Sequence, residues 1–203
     1  MEAGHKTRLK ELSSNLEACK TLLRREIEAR VRAVSERSRN DASLRACALL
    51  EKQPAWRMAG SVLLYAPIDA ELNVWPLLEN RMKAGNIVAL PQFDPGTKTY
   101  RACQITDLAK DVAPGRYGIR EPRKGCDLIP LNRLDFILVP GVAFDLHGHR
   151  LGRGEGYYDR LLATVRGMTC GVAFDEQIVP EVPVAPHDSD VNCILTPTRW
   201  IEL

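Results

Sequence analysis

Between Arg150 and Asp159 the sequence reads Arg-Leu-Gly-Arg-Gly-Glu-Gly-Tyr-Tyr-Asp. Gly152, Gly154 and Gly156 alternate with charged residues, so the backbone can adopt positive φ and offer successive N–H groups to an anion with no Cβ in the way. Arg150 and Arg153 place full positive charges beside it. An apolar run, Phe136–Val139, precedes this stretch, and a helix is predicted to follow from Tyr157 to Val165. The positive end of such a helix adds about 0.3–1 kcal/mol to holding an exposed anion. A GxGxG run alone reads equally well as a surface turn; the strand, the helix and the two arginines favour a phosphate cradle. It is neither the P-loop pattern nor the dinucleotide-binding pattern of spaced glycines.

Other residues of chemical interest lie far from this run. Lys20 and Arg24 are one helical turn apart and share a face, which by itself reads as a solvated stripe. Glu71 follows a buried strand, where ligand-binding residues of open α/β sheets gather, although a carboxylate at a helix start reads almost as well. Asp159 reads as a helix-start charge, and Asp188, with Asp190 close by, as a turn residue. Tyr157 and Tyr158 can stack on a ring or donate a hydrogen bond, and one of the pair is expected in the core. Asp145 reads as a residue that orients the glycine turn. Arg116, Arg120, Arg123 and Lys124 make the Asp111–Pro130 segment basic.

The elements that must position these residues follow from periodicity. Leu9, Leu12, Leu16, Leu23, Ile27 and Val31 recur at helical spacing and predict an amphipathic helix from Thr7 to about Arg32. Ser35 or Ser38 caps a second helix running to Leu50 and ended by Pro54. Trp56 is expected against the core. Ser61–Tyr65, a helix over Asn73–Ala84 stopped by Gly85, and Ile87–Pro91 form a strand, helix, strand unit, which implies parallel pairing with a right-handed crossover. Tyr100–Ile105 alternates like an edge or antiparallel strand. Asp111–Pro130 reads as a long loop, and Thr169–Phe174 and Val191–Leu195 as the closing strands.

The 203 residues are 45% hydrophobic and 27% charged, enough for one core, and residues 1–203 read as a single domain. A net charge of +2 gives no field suited to nucleic acid or a membrane surface, so an anion site must be local. The charged N-terminal stretch has no apolar segment of a signal or membrane helix, and a cytoplasmic location is expected. Cys19, Cys47, Cys103, Cys126, Cys170 and Cys193 include no CxxC pair, and are read as free, largely buried thiols of a reducing compartment without a catalytic role.

The run from Val139-Pro140-Gly141 through Phe144-Asp145, Gly148, Arg150-Leu151-Gly152-Arg153-Gly154 and Gly156-Tyr157-Tyr158-Asp159 closely resembles the signature of the 5-formyltetrahydrofolate cyclo-ligase family. Weaker similarity covers most of the chain: Lys20, Leu23 and Arg24, the Tyr65–Glu71 segment, Tyr117-Gly118-Ile119-Arg120-Glu121-Pro122, and the region of Asp188. The resemblance implies an α/β three-layer fold with a mostly parallel central sheet, related to ribose-5-phosphate isomerase and coenzyme A transferase-like folds. It implies conversion of 5-formyltetrahydrofolate, with or without a polyglutamate tail, to 5,10-methenyltetrahydrofolate by a monomer using ATP and Mg2+. By the same resemblance Lys20, Leu23, Arg24, Arg150, Leu151, Gly152, Arg153, Gly154, Gly156, Tyr157 and Tyr158 bind the nucleotide. Ala66, Glu71, Arg153, Gly154, Glu155, Gly156 and Tyr157 bind substrate, Asp159 and Asp188 hold magnesium, and Arg153 and Tyr158 act in catalysis. Glu155 stands where a lysine is common in the family, and a carboxylate beside a triphosphate must point to solvent or metal.

Overall fold

The computed structural model describes residues 2–115, 119–186 and 188–203, with side chains described from Asn15 onward. Three helices open the chain: α1 (Glu2–Ala33), α2 (Glu36–Leu50) and α3 (Pro54–Met58). Ser35 is the cap of α2, its hydroxyl accepting the Ser38 N–H at 3.2 Å. Pro54 does not end α2 but starts α3, at a position where its missing N–H costs nothing. The chain continues as β1 (Ser61–Leu63), α4 (Trp75–Lys83), β2 (Ile87–Asp94), β3 (Thr99–Gln104), α5 (Leu108–Asp111), β4 (Val112–Pro114), β5 (Arg120–Pro122) and β6 (Leu128–Ile129). Then come β7 (Phe136–Pro140), β8 (Ala143–Phe144), β9 (Arg150–Leu151), α6 (Tyr157–Leu162), β10 (Met168–Val172), β11 (Cys193–Leu195) and β12 (Trp200–Glu202).

Eight strands form one sheet in the order β12-β11-β10-β7-β1-β2-β3-β6. The five from β11 to β2 are parallel; β12, β3 and β6 join antiparallel at the two sides. Alternation along the strands sorts their side chains into two cores. Val62, Leu64, Val88, Leu90, Phe136 and Leu138 pack with Ile27, Val31, Leu50, Trp56 and Leu78 of the four N-terminal helices. Leu63, Ala89, Ile137, Val139 and Ile194 pack with Leu161 and Leu162 of α6 and with Phe144. The result is three layers, as expected. Trp56 is buried, edge-on to Phe136 at 5.3 Å between centroids, with the Arg81 guanidinium over its ring.

Four expectations need correction. The Asp111–Pro130 segment is not one loop: β4 and β5 pair Val112 with Pro122 and Pro114 with Arg120, and β6 extends the sheet beside β3. Prolines are tolerated because these are short edge pairings that leave some N–H positions unused. Cys103 and Cys126 are joined as a disulfide with Cα atoms 5.7 Å apart, so these two are not free thiols; Cys19 is free but exposed. Their separation of 23 residues gave no motif, and β6 brings them together by pairing Leu128 with Cys103. The helix at Tyr157 ends at Leu162 rather than Val165, and Val191–Leu195 is followed by a further strand, β12. Arg116, Tyr117 and Gly118 lie outside the described residues. Among those described, no helix is long and apolar enough to cross a membrane.

Candidate active site

The parallel strands end their carboxyl sides around β1, where β2 leaves on one side and β7 on the other. At such a reversal the loops diverge and open a crevice. Here it is a cavity of about 340 Å³, floored by Tyr65 and Ala66 after β1, Pro91 of β2, and Pro140 and Gly141 at the end of β7. Tyr65 donates its hydroxyl to the Leu72 carbonyl at 2.8 Å, which folds the 66–71 segment back over the strand end and delivers Glu71 to the rim.

The glycine turn forms the opposite wall. Val142 N–H donates to the Leu151 carbonyl and β8 pairs with β9, so the signature run makes a tight hairpin before it reaches the turn. The fully buried Asp145 holds that hairpin. Its carboxylate accepts the N–H groups of His147 and His149, His149 Nδ1 and, from another loop, Val182 N–H at 2.9 Å. Burial raises its pKa, but these bonds outweigh it and hold the carboxyl below its ordinary value. Gly154 and Gly156 have φ of 105° and 65°, which L side chains rarely adopt.

Three cation–carboxylate pairs surround the turn. Arg153 Nη2 reaches Glu71 Oε1 at 3.1 Å across the rim. Arg150, buried over Tyr158, donates to Asp159 Oδ1 at 2.7 Å, and its Nε is buried without a protein partner. Lys20 Nζ meets Asp188 Oδ2 at 2.6 Å, while Arg24 Nε donates to the Gly152 carbonyl. One residue beyond Asp188, Ser189 Oγ contacts the Asp159 carbonyl, so both aspartates belong to one side of the turn. Asp190 is exposed, which leaves Asp188 as the inward carboxylate of that pair.

Burial raises the pKa of Glu71; the Arg153 charge and the Ile68 N–H oppose this without cancelling it. Burial also lifts the Tyr158 phenol well above its ordinary value, with Tyr100 and Glu71 adding to the effect. Carboxylate oxygens are the hard donors that Mg2+ takes, one or two at a time with phosphates and water, and the Asp159–Asp188 side fits that use.

A family model for 5-formyltetrahydrofolate cyclo-ligases matches residues 17–197. The chain belongs to the 5-formyltetrahydrofolate cyclo-ligase family. The cyclo-ligase of Escherichia coli K12 is 32% identical over 177 residues, covering 85% of this chain and 97% of that protein. The mouse cyclo-ligase is 28% identical over 185 residues, covering 85% and 91%. The solution structure of the Aquifex aeolicus 5,10-methenyltetrahydrofolate synthetase superposes with a TM-score of 0.82 at 32% identity, over 91% of this chain and 93% of that one.

Of the residues that the cyclo-ligase signature singles out, Ala66, Glu71, Arg150, Gly152, Arg153, Glu155, Gly156, Tyr157, Tyr158 and Asp159 line the cavity together. Gly154 lies beside the Arg24 guanidinium, and Lys20 and Asp188 stand behind the turn. Leu151 is in the core and Leu23 packs against it, so these two support the site without facing the cavity. Glu155 is exposed and also lines the cavity. Both tyrosines reach the cavity: Tyr157 joins Phe93 and Tyr100, and Tyr158 also packs on the second core. Tyr65, Pro91, Tyr100 and Glu121 also line the cavity; sequence reasoning assigned none of them a site role, although Tyr65 and Glu121 lie in segments of family similarity. Tyr100 sat in plain alternation on a strand, and a ring at a strand end carries no motif. Arg120, expected on a basic loop, lines the cavity with its guanidinium over Trp75.

Proposed function

We propose that this chain converts 5-formyltetrahydrofolate to 5,10-methenyltetrahydrofolate with ATP and Mg2+. The observation that carries the proposal is the Arg153–Glu71 pair, because it joins an anion-binding glycine turn to a buried carboxylate on the rim of one cavity. A carboxylate there accepts paired N–H donors from a pterin edge, and the turn N–H groups with Arg153, Arg150, Arg24 and Lys20 hold phosphates. Asp159 and Asp188 would hold the magnesium ion, which supplies charge neutralisation to the phosphates when bound.

In this reading the γ-phosphoryl group of ATP passes to the formyl oxygen with release of ADP, N10 closes the ring by attacking the activated carbon and gives up its proton to water, and the C–O bond then breaks to release phosphate and leave the methenyl cation. The side chains need form no covalent bond. Their work is to hold donor and acceptor oxygens in line and to neutralise charge as it moves. Arg153 would do so from the turn, and the Tyr158 hydroxyl, which lines the same cavity, would serve as a donor beside it.

The test is the absorbance of methenyltetrahydrofolate formed from 5-formyltetrahydrofolate, ATP and magnesium. Arg153→Ala is expected to lower kcat/KM by roughly 10²-fold or more, as for loss of one preorganised charge donor. Asp159→Asn is expected to raise the magnesium concentration needed. Folded wild-type protein that forms no product would refute the activity.

A further inference from the structure

Arg160 stands on α6 just after the glycine turn and lies outside the cavity. Its side chain is nonetheless held at three points. Nη2 donates to the Glu155 carbonyl at 3.0 Å, Nε donates to the Lys98 carbonyl at 3.0 Å, and the guanidinium lies over the Tyr157 ring, 5.2 Å from its centroid. Lys98 is in the turn between β2 and β3, 62 residues away in sequence, with a φ of 53° that L side chains rarely adopt. Gly156 leaves room for this arrangement, because a Cβ there would stand 3.0 Å from Arg160 Nη1.

We propose that Arg160 is a positioning residue, which sets the Glu155–Gly156 peptide so that the turn presents the Gly156 N–H to phosphate. The inference rests on the reading of this turn as a phosphate cradle. The peptide is trans, so its carbonyl and its N–H point to opposite sides. A guanidinium that takes the Glu155 carbonyl from outside the cavity therefore turns the Gly156 N–H away from itself. Arg24 makes the matching contact at the other end of the turn, on the Gly152 carbonyl. A glycine peptide without such a hold has several conformations of similar energy, and affinity falls with the fraction of time spent in the competent one. Lys98 gives the guanidinium a second fixed point, on the sheet. A planar fork of five donors spans both carbonyls, whereas an ammonium is a point charge on a flexible stem. The rings depend on Arg160 less: Phe93 and Tyr100 pack on Tyr157 with centroids 4.9 and 5.6 Å away, and Tyr158 packs on Tyr100. Loss of the guanidinium should accordingly be felt by the nucleotide and not by the folate.

The experiment measures Kd for ATP with magnesium by calorimetry, and KM for each substrate, in wild type, Arg160→Ala, Arg160→Lys and Arg166→Ala. Arg166, exposed just after α6, is the control for loss of a nearby charge. Both Arg160 variants should raise Kd and KM for ATP by about tenfold, as for a turn that is competent about one-tenth of the time. KM for 5-formyltetrahydrofolate should stay unchanged, and Arg166→Ala should match wild type. Full recovery in Arg160→Lys would mean that charge alone is needed, and a parallel rise of both KM values would mean that the site has loosened as a whole. Either result overturns the proposal, as does an unchanged Kd in Arg160→Ala. Wild type that binds ATP with magnesium but forms no product, with the same loss of affinity in both variants, would refute the proposed activity and leave the role of Arg160 standing. Wild type that binds no ATP would remove the phosphate cradle and the role of Arg160 with it.

Discussion

Glu71 concentrates the site's electrostatics in one carboxyl group. Its folded pKa is raised, so ionisation is what folding disfavours; any stability it contributes is present below its unfolded pKa and is lost as pH rises through the raised folded value. The same shift bears on binding, because only the ionised form accepts two N–H donors from a pterin. The acid limb of kcat/KM for 5-formyltetrahydrofolate should therefore fall above the ordinary glutamate range. Glu71→Gln should raise KM for the folate by about tenfold or more, through loss of a charge-assisted pair, and should abolish that limb. A pH–rate profile of the two proteins checks both points. A limb that persists in the variant would move the titration to another group.

Among the elements, the β8–β9 hairpin and its anchor Asp145 decide where the glycine turn sits. Asp145 links the hairpin to the loop of Val182, and that loop leads on to Asp188. With its folded pKa depressed, its contribution is present above the unfolded pKa and is lost as pH falls through the folded value. Asp145→Asn should lower stability near neutral pH by about 1.5–3 kcal/mol, the scale of hydrogen bonds to a charged group, and narrow the gap between variant and wild type in acid. Denaturant melts at two pH values measure this. The Cys103–Cys126 disulfide acts on the neighbouring segment, closing the stretch that carries β4 and β5 and hence Arg120 and Glu121. Cys126→Ser is expected to cost about 3 kcal/mol without reductant, by the loop-closure relation, and nothing further when reductant is present. Elements of this kind explain what the sequence hid. The parallel strands were legible as continuous apolar runs buried on both faces, and α1, α2 and α4 from helical spacing and their caps and stops. β4, β5, β6 and β8 were not, since their two or three residues sit next to Pro, Gly or charged residues rather than in an extended apolar run. Lys20 and Asp188 met the same limit: their 2.6 Å contact joins residues 168 apart, and resemblance rather than spacing singled them out.

On the scale of the whole molecule, charge is arranged in local pairs. The net charge is +2, and each cation assigned to phosphate near the turn, apart from Arg24, faces a carboxylate assigned to metal or substrate. A nucleotide without metal would bring four negative charges against Asp159 and Asp188, which would repel it; a magnesium ion held by these carboxylates would reverse that interaction. Stabilisation by ATP should accordingly depend on the metal. At a concentration about 100 times Kd, a ligand bound only by the folded state adds about 2.7 kcal/mol, and for a chain of this length each kcal/mol moves Tm by about 2–4 °C. Magnesium with ATP should thus raise Tm by about 5–10 °C, and ATP with a chelator by much less. Asp188→Asn should narrow the difference between the two conditions, because the repulsion and the metal contact disappear together. A thermal melt of the two proteins with and without magnesium reads this directly, and equal shifts for wild type in both conditions would mean that these aspartates do not hold the metal.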